Sequence, residues 1–83
     1  GVQCSELPLS ESAMRKALEH GGVLICSMGP GHFTATGHFI VIAGAQDGGF
    51  CVNDPNSTAN SAALWPYDTL APEIRAMWVF TPA

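Results

Sequence analysis

The chain has 83 residues, 47% of them hydrophobic and 12% charged, with three basic against seven acidic side chains and a formal net charge of -4. A chain of this length makes one domain at most and buries only about 60 to 65% of its unfolded surface, so its margin of stability is small. The acidic balance gives no electrostatic footprint for nucleic acid or an anionic membrane surface, and no apolar run approaches the roughly 20 residues of a membrane span. Cys4, Cys26 and Cys51 are an odd number in no motif spacing, which implies neither a disulfide framework nor a zinc site.

Val2 to Leu7 alternates weakly, which suits a short edge strand running into Pro8. Ser10 is placed to N-cap a helix through His20, with Glu11 at the positive end of its dipole and Gly21 as the residue that ends it. Met14, Ala17 and Leu18 recur at the spacing of a one-sided buried stripe, leaving Arg15, Lys16 and Glu19 to water. Val23 to Met28 reads as a central strand ended by Gly29-Pro30-Gly31. The segment from Gly29 to Gly37, carrying His32 and Phe33, is a loop long and apolar enough to fold over a site at the mouth of the next strand.

That next strand is His38 to Ala43, an apolar run with β-branched Ile40, Val41 and Ile42 that is too short for a helix. Phe50 to Asp54 follows as its hairpin partner, stopped by Pro55. Asn56 to Asn60 is a polar turn region, Tyr67 to Ile74 an irregular or single-turn helix broken by Pro72, and Ala76 to Phe80 a last buried strand. The sum is an α+β domain, a twisted and mainly antiparallel sheet of four to five strands with one helix packed on it.

The hairpin carries the chemistry. A loop from Gly44 to Gly48 pairs Ile42 with Phe50, Val41 with Cys51, and so on outward until His38 faces Asp54. Directly opposed residues share a face with Cβ atoms about 4.5 to 5.5 Å apart, within reach of an imidazole-carboxylate hydrogen bond. A loop of even length separates the two onto opposite faces unless a bulge intervenes. A histidine oriented by a carboxylate is two thirds of a nucleophilic relay; the same pair can equally be a structural bond tying strand ends. In this register Cys51 lies on the other face of the sheet from His38, Cys26 reads as a small core hydrophobe, and Cys4 lies on an edge strand. His32, His38 and Asp54 are also side-chain types that bind zinc; no metal or cofactor is expected here.

The residues Ala17 to Ile25, Met28 to Phe33, Gly37 to Ile42 and Val52-Asn53-Asp54-Pro55, with the closing Trp65, Tyr67, Leu70 and Trp78-Val79-Phe80, carry a resemblance. Nearly the whole chain resembles the bacteriocin-processing, double-glycine-leader peptidase-like family of papain-fold cysteine peptidases. The resemblance implies His38 as general base and Asp54 as the carboxylate that orients it. It also implies that residues 1–83 are a single, incomplete domain, the C-terminal half of such a peptidase, whose nucleophilic cysteine and oxyanion-hole glutamine lie upstream. The function to expect is peptide-bond cleavage once that nucleophile is supplied, and the alternative is a catalytically inactive module of the same fold that binds peptides. Expected partners are a peptide or protein substrate and either a separate N-terminal half or a second copy in a homodimer, with no nucleic acid and no membrane insertion. The family also implies a bacterial, secreted or cell-surface setting.

Overall fold

The computed structural model describes residues 2–82. In chain order the elements are β1 (Val2–Glu6), α1 (Glu11–Glu19), β2 (Val23–Met28), β3 (His38–Gln46), β4 (Gly49–Asn53), α2 (Thr58–Ala62), β5 (Leu64–Trp65), α3 (Tyr67–Leu70), a single 3-10 turn (Ala71–Glu73) and β6 (Ile74–Pro82). The strands form one sheet in the order β1-β6-β2-β3-β4-β5, with neighbours antiparallel throughout. The class is roughly the expected α+β, but the expectation of four to five strands with one helix is overturned by six strands and three short helices among the described residues.

The difference has a local cause. Ser57 caps α2 by accepting a hydrogen bond from the Asn60 main-chain N–H, converting the stretch read as a polar turn into one helical turn. The chain leaves α2 alongside β4, so Leu64 and Trp65 pair with Cys51 and Phe50 as a two-residue edge strand. A strand that short has no periodicity to read. No helix among the described residues is long and apolar enough to cross a membrane.

Alternation in the strands builds the core. Leu24, Cys26 and Met28 of β2, Ile40 and Ile42 of β3, Phe50 and Val52 of β4, and Met77 and Val79 of β6 are all buried in one cluster. Helix α1 closes over them as its sequence requires: the Ser10 hydroxyl accepts from the Ala13 N–H, Met14 is fully buried, Ala17 and Leu18 pack against the cluster, and Gly21 turns the chain at φ +85°. Arg15, expected in water, instead lays its guanidinium 5.0 Å from the centre of the Phe50 ring and donates to the Gln46 carbonyl at 3.0 Å. Its long apolar stem makes that possible while its charge still meets Glu11.

The β3–β4 hairpin is not the one obtained by counting. Gln46 pairs with Gly49 across a turn of Asp47 and Gly48, Ala45 with Phe50, and Gly44 with Cys51; the register then shifts, so that Ile42 pairs with Val52 and Val41 with Asn53. The expected pairings of Ile42 with Phe50 and Val41 with Cys51 do not form. A two-residue turn alone sends His38 and Asp54 to opposite faces, and the bulge at Ala43 reverses that by adding one unpaired residue. Gly49 makes the tight turn possible, since its φ of +151° suits glycine and a Cβ there would strike the Trp65 carbonyl.

Because Met14 is the one fully buried side chain of α1, Met14→Ala should lower stability by about 2 to 5 kcal/mol. Urea denaturation should show this as a lower midpoint at unchanged slope. A midpoint equal to wild type would mean that α1 does not hold the sheet face.

Candidate active site

The site forms where β3 begins and β4 ends. Asn53 closes β4, Pro55 stops further pairing, and Asp54 between them turns its side chain inward, where only 4% of the residue remains exposed. An ionised carboxylate at such a position is tolerable only if its oxygens are hydrogen-bonded. Asp54 Oδ1 accepts from His38 Nε2 at 2.8 Å and from the Asn56 main-chain N–H at 2.9 Å, and Oδ2 accepts from Asn60 Nδ2 at 3.0 Å. The Asp54 main chain is fixed as well, its N–H donating to the Ser61 hydroxyl at 2.8 Å and its carbonyl accepting from the Ser57 N–H at 3.1 Å.

These contacts set the ionisation of Asp54. Burial is the strongest single influence and pushes the carboxyl up, toward the neutral form. It is outweighed by the hydrogen bonds from Asn60, Asn56 and His38 together with the attraction of the imidazole, and the group is held below the ordinary aspartate value. The carboxylate therefore offers acceptors only, so His38 Nε2 carries the proton. In the neutral ring Nδ1 is left with its lone pair, facing the exposed Asn56 amide at 3.4 Å. A ring whose proton is held by a buried carboxylate and whose other nitrogen is an acceptor is an arrangement that can take up a proton.

A second histidine-carboxylate pair lies nearby. Glu73 accepts from His32 at both its main-chain N–H, at 2.6 Å, and its ring Nδ1, at 2.5 Å. The His32 ring meets Trp65 edge-on, with centroids 5.5 Å apart, and buried Phe33 packs tilted against the same indole at 4.6 Å. The loop from Gly29 to Gly37 is thus pinned beside the His38 end of β3. His32 belongs to this clamp, and among the described residues no three His, Cys, Asp or Glu side chains converge as a metal site would require. A cavity of about 340 Å³ between α1 and the bulged end of β3, lined by Arg15, Gly44 and Asp47 among others, includes neither His38 nor Asp54.

The profile of the Peptidase_C39 like family matches residues 3–81. The chain belongs to that family. It is a cysteine-peptidase-like domain, and no curated protein and no solved structure matches it. In a Peptidase_C39-like chain the sulfurs are the next groups to locate. Cys26 is fully buried in central β2, where burial pushes its thiol up to about 12. Cys4 is exposed on β1, separated from β3 by β6 and β2. Cys51 accepts from Gln46 Nε2 at 3.7 Å and, between core-facing Phe50 and Val52, points to the opposite face of the sheet.

Counting along the sequence selects His38 and Asp54 but misses Asn56 and Asn60, which hold the carboxylate, and Ser61, which holds the Asp54 main chain. Two local signals point to them. Asp-Pro-Asn closes an Asx turn through Asp54 Oδ1 and the Asn56 N–H, and Ser57 and Asn60 stand at the N-cap spacing of a short helix.

A carboxyl held low in the folded state adds stability that is present above the ordinary aspartate value near pH 3.9 and is lost as pH falls through the folded value. Wild-type stability, followed by urea melts from pH 7 downward, should fall below about pH 4. Asp54→Asn should be less stable at pH 7 and show a flatter acid limb; an acid limb as steep as wild type would assign the loss to other groups.

Proposed function

We propose that this chain is the base-bearing part of a cysteine peptidase of the double-glycine-leader type, in which His38 is the general base and Asp54 orients it. The thiolate comes from a segment upstream of these residues or from a separate chain. The single observation that carries the reading is the buried Asp54 carboxylate bonded to His38 Nε2, which leaves Nδ1 as an outward-facing acceptor. The positions of the three cysteines support an external nucleophile, since none is among the bonded partners of the His38 ring.

In this reaction Nδ1 takes the proton of the incoming thiol, and the sulfur attacks the peptide carbonyl carbon. Asp54 stabilises the imidazolium that forms. Nδ1 then gives its proton to the amide nitrogen as the C–N bond breaks, releasing the amine and leaving a thioester on sulfur. Water, losing a proton to Nδ1, attacks the thioester; the acid departs and the thiol is restored. The Asn56 amide now beside Nδ1 is exposed and makes a long contact at 3.4 Å, so an arriving thiol can displace it.

The test pairs this chain with its upstream coding sequence and follows both cleavage of double-glycine peptides and iodoacetamide labelling against pH. A cysteine outside residues 1–83 should label fast below neutral pH, and His38→Ala should slow that labelling and lower hydrolysis by about 10²- to 10⁴-fold. Hydrolysis unchanged in His38→Ala would overturn the relay. Peptide binding with no fast-labelling thiol and no turnover would mean a non-catalytic binding module instead.

A further inference from the structure

Asn60 ends the stretch read from sequence as a polar turn, yet it holds the one carboxylate oxygen of Asp54 that His38 does not. Its Nδ2 lies 3.0 Å from Asp54 Oδ2 and 3.3 Å from the main-chain carbonyl oxygen of His32. Both neighbours can only accept, so the amide must present its nitrogen there, and one N–H can serve each. Its own backbone is fixed at both ends: the N–H donates to Ser57 Oγ at 3.0 Å, and the carbonyl accepts from Trp65 Nε1 at 2.9 Å. The amide is a rigid bracket between the carboxylate and the loop that carries His32.

Geometry makes this bracket consequential. The last torsion of an aspartate is soft, so donors on Oδ1 alone fix the position of that atom but not the plane of the carboxylate. The bond to Oδ2 supplies the second point. Resting on the reading of His38 as general base, we propose that Asn60 is a positioning residue: its amide fixes the plane of the Asp54 carboxylate, and through it the Nε2–H tautomer and orientation of the His38 ring. The His32 carbonyl holds the amide from the other side.

The test is ¹⁵N NMR of histidine-labelled chain with the rings neutral, where nitrogen shifts report which ring atom carries the proton. Wild-type His38 should be the Nε2–H tautomer alone, and Asn60→Ala should convert it to a mixture. Asn60→Leu keeps nearly the size of the side chain and its backbone bonds but has no donor, so it removes the same hydrogen bond if the alanine variant does not fold. Retention of the pure Nε2–H tautomer in whichever variant folds would overturn the proposal. In the protein completed by its nucleophile, Asn60→Ala should lower kcat by about 10- to 100-fold with KM unchanged; a change in KM alone would make Asn60 a substrate contact and overturn it too. The two readings fail separately, because hydrolysis that survives His38→Ala removes the general base while the tautomer result still judges Asn60.

Discussion

The burial of one carboxylate organises this end of the molecule. Asp54 is taken out of water at the end of β4, and a charge in that place must be matched by donors or it will take up a proton. Three donors meet it, and each imposes a structural requirement: the Asn56 N–H needs the turn after Pro55, the Asn60 amide needs a helical turn directly after that, and the His38 ring needs β3 to begin alongside. The segment from Asp54 to Trp65 folds as it does largely to satisfy these bonds. Ser61 and Ser57 secure the same segment from its main chain.

The second requirement is met by the hairpin. Side chains alternate faces along a strand, so the turn between β3 and β4 and any inserted residue together decide whether His38 can see Asp54 at all. A two-residue turn is the tightest available and alone gives the wrong parity; the bulge at Ala43 supplies the compensating residue. The two-residue turn, on its side of the bulge, sets Gly44 opposite Cys51, and the Gln46 carbonyl beside that turn accepts from Arg15, tying the far end of the hairpin to α1. The turn thus serves the helix packing and the bulge the site.

How much of this was legible depended on range. Helix α1 could be read, apart from the packing of Arg15 on Phe50, because its signals are local: a serine cap, an apolar stripe and a terminating glycine. The faces of the strands were legible because burial enforces alternation. The pairing of His38 with Asp54 was reached through a register that the structure replaces, and the pair meets because two departures, a shorter turn and an extra residue, cancel in parity. Asp47-Gly48 is a strong two-residue turn signal, but Ala43 sits inside a continuous apolar run where a bulge leaves no mark. Helix α2 and β5 escaped for another reason: their stability comes from bonds to Asp54 and β4 and not from their own sequences.

The two histidine-carboxylate pairs differ in burial far more than in proximity. In the pair of His38 and Asp54 the side chains are 14% and 1% exposed, so the carboxylate is shielded from water and its orienting effect on the ring is undiluted. In the pair of His32 and Glu73 the imidazole is 57% exposed, and the carboxylate divides its oxygens between the ring and the main-chain N–H of the same residue. That second arrangement fixes a loop: it leaves Gly31 no room for a side chain against Glu73 and sets Phe33 into the core beneath Trp65. Solvent surrounds this ring and thins the pair's influence on any bound group. The loop it holds is the one whose carbonyl meets the Asn60 amide, so the exposed pair acts on the buried one through geometry alone.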